Sequence, residues 1–251
     1  MRLIQEGPRN ARLLVCGEAP GAREDMIGKP FQGGAGQLLN QMFDKVGIRR
    51  WECFITNVGH VRPPDNEFTW YYKRANLPLY VEGVLQLKQD IESIRPNLVL
   101  ALGNHAMRAL TNKVGITSWR GSILESTLVP GQKVLPTVHP AAILRLYDFR
   151  AIVEFDLRRA AEEMTFWELN LPIRKHHLNP PIREPLIQEM LHAEWLAVDI
   201  ECTSTPGAWK LLCVGFSDHA NRSLVIPVRD ASDVHDIRRL VGSHVPKVLQ
   251  N

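Results

Sequence analysis

The chain has few of the features that assign a protein at first sight. Its 251 residues hold four cysteines, Cys16, Cys53, Cys202 and Cys213, with no C-x-x-C pair. Three lie in apolar, strand-like runs, and Cys202 lies within Asp-Ile-Glu-Cys-Thr. They read as small reduced residues rather than as a disulfide set. No stretch of about 18 apolar residues occurs, which argues against a membrane span. The start, Met1-Arg2-Leu3-Ile4-Gln5-Glu6, lacks the apolar core of a secretory signal, so a cytoplasmic protein is expected. Charge of either sign is nearly balanced, at a net +3, and does not by itself announce nucleic acid. The apolar fraction of 45% is that of an ordinary globular protein.

Local pattern carries more than composition. Strands are expected at Arg12–Glu18, Cys53–Val58, Leu98–Gly103 and Lys133–His139. Helices are expected at Gly34–Val46, Val81–Ile94, Asn104–Thr111 and Phe149–Thr165. This alternation predicts an α/β domain with a central parallel sheet and helices on both faces. A ligand site then belongs beyond the carboxyl ends of the strands.

Three motifs fall there. Gly17-Glu18-Ala19-Pro20-Gly21 opens a glycine-rich loop that runs on through Glu24, Asp25 and Phe31. It lacks the Lys-Ser/Thr of a P-loop and the spacing of a dinucleotide fingerprint. Phe54-Ile55-Thr56-Asn57 ends in an amide and leads to Arg62-Pro63-Pro64. Val138-His139-Pro140-Ala141 delivers a histidine ahead of Leu144 and Arg145. In this order the three motifs resemble those of the uracil-DNA glycosylases, in particular the family 4 type and its relatives fused to phage-like DNA polymerases. The likeness covers roughly residues 12–163.

The resemblance implies a three-layer αβα glycosylase fold over 1–167 and hydrolysis of the N-glycosidic bond of deoxyuridine in DNA. Glu18 and His139 are the implied catalytic pair. Phe31 would stack on the flipped base and Asn57 would read its edge, since a carboxamide can pair with both O4 and N3–H of uracil. Glu24 and Asp25 are further candidates to bind substrate or serve the water, and one carboxylate of the three could instead cap the loop. Arg62, Pro63, Pro64, Leu144 and Arg145 would contact DNA; a buried helical leucine is the other reading of Leu144. Family 4 enzymes hold an iron–sulfur cluster on cysteines that this sequence does not offer, so no cluster is expected. No basic insertion follows Asn57, so turnover is expected rather than covalent capture of DNA. The aromatic-rich stretch Phe68-Thr69-Trp70-Tyr71-Tyr72-Lys73-Arg74 either stacks on DNA or covers a core edge, the latter being favoured.

Residues 168–184 are polar and proline-punctuated and read as a linker, with His176 and His177 solvated within it. Beyond, 185–251 resembles the first part of a ribonuclease-H-like 3′–5′ exonuclease domain of family A polymerases. Asp199 and Glu201 share one strand face, which suits a divalent cation such as Mg2+ or Mn2+. Lys247-Val248-Leu249-Gln250-Asn251 is similar to the opening of the second exonuclease motif, without its aspartate. The expected parent is a longer glycosylase–exonuclease–polymerase protein, bacterial or phage-encoded, acting on uracil-containing DNA and not on membranes.

Overall fold

In the computed structural model, residues 5–171, 173–203 and 208–249 are described. They form two compact units, divided at Leu171/Pro172. The first contains, in order, β1 (Leu13–Gly17), α1 (Ala22–Ile27), α2 (Gly34–Val46), β2 (Cys53–Asn57), α3 (Leu77–Ile94), β3 (Leu98–Leu102), α4 (Asn104–Thr111), α5 (Ile116–Trp119), β4 (Leu124–Glu125), β5 (Lys133–Thr137), α6 (Pro140–Arg145) and α7 (Phe149–Glu163).

Its sheet has the order β2-β1-β3-β5-β4, with only the short β4 antiparallel. Every residue of the four parallel strands is buried. Both faces of such a sheet must be covered, which is why these strands read as continuous apolar runs. Successive side chains point to opposite faces. Leu13 and Val15 join one core cluster with Leu39, Met42 and Phe43 of α2 and Leu157 of α7. Leu14 and Cys16 join the other with Leu87 and Ile91 of α3 and Met107 of α4. The result is the three-layer αβα arrangement. The chain leaves β1 for β2 on one side and leaves β3 for β4 and β5 on the other, so the connections diverge between β1 and β3 and open a crevice at the carboxyl ends of the strands.

Two features of this unit were not visible as sequence pattern. The glycine-rich loop contains a helix, α1, built from Ala22-Arg23-Glu24-Asp25-Met26-Ile27 and closed by Gly28 in the left-handed conformation. Short runs of good helix formers ending in glycine make such a turn. Helix α3 begins at Leu77 rather than Val81, with Pro78 in its first turn, where a missing N–H carries no cost.

The second unit has β6 (Lys175–Leu178), α8 (Glu184–Leu191), β7 (Leu196–Cys202), β8 (Leu211–His219), β9 (Arg222–Pro227), α9 (Ala231–Val241) and β10 (Lys247–Leu249). The sheet order is β10-β7-β8-β9-β6. β7, β8 and β9 pair antiparallel, while β10 runs parallel to β7 and β6 parallel to β9. Ile187, Met190 and Leu240 from α8 and α9 close the core over Leu196, Val198, Phe216 and Ile226. The expected linker over 168–184 is therefore corrected: its Lys175–Leu178 portion is an edge strand, and His177 pairs with Leu224. Backbone pairing at a sheet edge needs no apolar side chains, so a polar sequence hides it. Pro172 of the expected linker and Gln250 and Asn251 of the expected exonuclease motif lie outside the described residues.

Candidate active site

β1 and β2 end in register, Gly17 beside Asn57. The missing side chain of Gly17 is what lets the site form: a Cβ there would stand 2.2 Å from Asn57 Oδ1 and 2.6 Å from Phe31 Cζ. Asn57 is buried, and its carboxamide makes no hydrogen bond among the described residues. Phe31 is held in the left-handed region at φ 52°, a conformation that costs a non-glycine residue roughly 1–2 kcal/mol. Glu24 secures it. Its Oε1 accepts from the backbone N–H of both Gln32 and Gly33 at 2.8 Å, immediately after Phe31. Arg50 Nη2 donates to the carbonyl of Pro30, just before it, at 2.8 Å.

Glu24 thus ties the backbone of its own loop. Glu24→Ala is expected to lower stability by about 1–3 kcal/mol through two unsatisfied N–H groups and to free the Phe31 ring. Denaturant titration, with the activity of the folded variant measured alongside, checks this.

His139 caps α6. Its Nδ1 accepts the backbone N–H of Ala141 at 3.2 Å, so the neutral ring carries its proton on Nε2. Burial, reinforced by the positive charge of Arg145, lowers its pKa to about 4. The imidazole is therefore neutral near pH 7 and presents an N–H donor. Its ring lies stacked 6.0 Å from that of Phe31.

Glu18 follows the end of β1. Its Oε1 accepts from the backbone N–H of His105 at 3.1 Å. Gly103, at φ 94°, lets the groups converge: a Cβ there would be 2.4 Å from Glu18 Oε1 and 3.1 Å from His139 Cβ. Burial raises the pKa of Glu18, opposed by the backbone hydrogen bonds of His105 and Asn104 and by Arg145.

These side chains line one cavity of about 540 Å3, together with Glu24, Pro63 and Arg145. A few converging polar groups and two perturbed ionisable residues in one concavity mark a binding and catalytic site. Four expected residues stand outside the lining. Asp25 lies on α1, Pro64 is exposed beyond Pro63, and Leu144 is 59% exposed. Arg62 sits next to the lining and donates from Nε to Asn66 Oδ1 at 3.1 Å. The buried reading of Leu144 is corrected: it projects from α6, near the start of α2 at Gly34.

Sequence reasoning missed Asn104 and His105, which also line the cavity. They begin α4 directly after β3. The rule that placed the other motifs, ligands at strand carboxyl ends, pointed to them as well.

The cysteines do not fit an iron–sulfur cluster. Cys16 and Cys53 are buried in β1 and β2, where burial pushes the thiols up, that of Cys53 to about 12, against the thiolate a metal needs. Cys202 and Cys213 belong to the second unit. There, Asp199 and Glu201 are exposed on β7. No group of three or more His, Cys, Asp or Glu able to hold a metal ion occurs among the described residues, so the pair does not fit a two-metal site. Among the described residues no helix is long and apolar enough to cross a membrane.

A mostly parallel αβα domain with a carboxylate, an aromatic ring, an amide and a neutral imidazole in one cavity has the groups of an enzyme that works by acid–base and electrostatic chemistry. Comparison with known proteins narrows this. The model of the uracil DNA glycosylase superfamily matches residues 4–160, and the chain belongs to that superfamily. It is 36% identical over 162 residues to the type-4 uracil-DNA glycosylase of Thermotoga maritima, covering 63% of this chain and 80% of that protein. Over 168 residues it is 36% identical to the type-4 enzyme of Saccharolobus solfataricus, covering 64% and 74%. It is 29% identical over 142 residues to the DNA polymerase of Bacillus phage SP01, covering 56% of this chain and 14% of that protein.

Proposed function

We infer that this chain is a uracil-DNA glycosylase that hydrolyses the N-glycosidic bond of deoxyuridine in DNA and leaves an abasic site. One observation carries the reading: Glu18, Phe31, Asn57 and His139, from three separated motifs, line a single cavity. Superfamily membership and the two type-4 relatives support it.

A deoxyuridine extruded from the stack enters with its base against Phe31. Asn57, whose carboxamide has no hydrogen-bond partner among the described residues, donates to O4 and accepts from N3–H; cytosine offers the opposite pattern. As the bond from N1 to C1′ breaks, its electron pair passes to the uracil, and negative charge gathers on O2. The Nε2–H of neutral His139 stabilises that charge without first giving up a proton. Ionised Glu18 supports positive character on the sugar and takes a proton from the water whose oxygen bonds to C1′. Pro63 and Arg145 at the cavity, with Arg62 and Leu144 beside it, contact the DNA strand, fixing register without reading sequence.

Asn57→Ala is expected to slow uracil release from a single-deoxyuridine oligonucleotide by about 10²-fold or more, because a recognition site built on hydrogen bonds discriminates steeply. Uracil-dependent DNA binding by the wild-type protein without base release would instead make the chain a recognition module. The match to a phage DNA polymerase supports a place in the N-terminal part of a polymerase-like protein. There the second unit would be the front of an exonuclease domain, acting with Mg2+ or Mn2+ only when further carboxylates complete it.

A further inference from the structure

The turn Phe68–Tyr72 is left unused by the chemistry above, yet it touches two parts of the site. Tyr71 is fully buried. The backbone N–H of Val61 donates to its Oη at 3.0 Å, and the phenol O–H donates back to the Val61 carbonyl. Gly59 makes room, since a Cβ there would lie 2.5 Å from that hydroxyl oxygen. Val61 immediately precedes Arg62 and the cavity-lining Pro63. Tyr72 reaches elsewhere, its hydroxyl 2.9 Å from His105 Nδ1. The His105 ring also stacks on Phe68, with centroids 4.2 Å apart and planes at 19°. The backbone N–H of this same His105 binds Glu18.

We propose that Phe68–Tyr72 is a two-armed brace: Tyr72 holds Glu18 in place through His105, and Tyr71 holds the Arg62-Pro63 segment through Val61. The kinetic consequences rest on the glycosylase reading; the brace itself rests on contacts alone. Tyr71, Tyr72 and His105 are positioning residues, and each arm serves a different step. Misplacing a catalytic group slows the chemical step, whereas loosening a strand-gripping segment weakens binding.

Tyr72→Phe and Tyr71→Phe each remove one oxygen and keep the ring packing, so they separate the arms. Steady-state kinetics on a deoxyuridine oligonucleotide, a pH profile and amide hydrogen exchange on the full chain test them. Tyr72→Phe is expected to lower kcat about tenfold with KM within about twofold, as for an interaction lost in the transition state. Its acid limb should move to higher pH, because the backbone hydrogen bonds oppose the upward shift of Glu18, and exchange at the His105 amide should quicken. Tyr71→Phe is expected to raise KM about tenfold at unchanged kcat, leave the pH profile in place and quicken exchange at Val61. Wild-type exchange and kinetics in both variants would overturn the brace. So would parallel losses of kcat and affinity that merely track a lower Tm. A wild-type protein that releases no uracil would overturn the glycosylase reading, while the two amide signals would still decide whether the brace exists.

Discussion

Glu18→Gln is expected to reduce uracil release by about 10²–10⁴-fold, the range for loss of a positioned acid–base group, and at the same time to raise Tm at pH 7–8. The second half follows from linkage. Burial raises the pKa of Glu18 in the folded protein, so the folded state binds this proton more tightly than the unfolded chain. That contribution to stability is fully present below the ordinary carboxylate range and is lost as pH rises through the folded value. At neutral pH a buried negative charge remains, and the neutral isostere relieves it. Since Glu18 must be ionised to serve water, the acid limb of wild-type activity should lie above the ordinary carboxylate range and vanish in Glu18→Gln. Thermal melts and initial rates from pH 4 to 9 decide both points. A variant that is both active and less stable would show that Glu18 is structural.

His139→Ala is expected to lower kcat by about 10²–10³-fold, the typical effect of removing one preorganised donor to a developing oxyanion. KM should change little, because the hydrogen bond strengthens only as charge appears on O2. The pKa of about 4 fixes the pH behaviour. A lowered histidine pKa keeps the ring neutral through the working range, so no His139 titration should appear in the rate between pH 5.5 and 8. A rate that instead rose on acidification through pH 6.5 would mean the imidazolium is the active form. Nuclear magnetic resonance of the ring nitrogens, with Nε2 protonated and Nδ1 not, provides a check independent of turnover.

The parts of the site that were legible in the sequence share one property: they are short motifs at the carboxyl ends of buried strands. The apolar runs before Gly17, Asn57 and His139 located the strand ends, and the sheet order then brought them together. What was not legible depends on local geometry. Glu24 and Asp25 are adjacent in the same loop, but α1 turns Glu24 to the Gln32 and Gly33 amides and leaves Asp25 outside the cavity. His105 carries no motif; its importance comes from a backbone N–H, which every residue but proline possesses. Likewise Phe68–Tyr72 shows only as aromatic composition until the hydroxyls of its two tyrosines are seen to part toward Val61 and His105. The edge strand Lys175–Leu178 is hidden for a related reason, since its ladder with β9 is a backbone pairing that polar side chains do not announce.

The most direct test is the mass-spectrometric identification of bases freed from three oligonucleotides that differ at one position, deoxyuridine, deoxycytidine or thymidine. The cavity predicts free uracil from the first, with the phosphodiester chain intact until alkali cleaves it, and no base from the other two. Intact deoxyuridine after prolonged incubation with excess protein, or equal release of cytosine, would contradict the account.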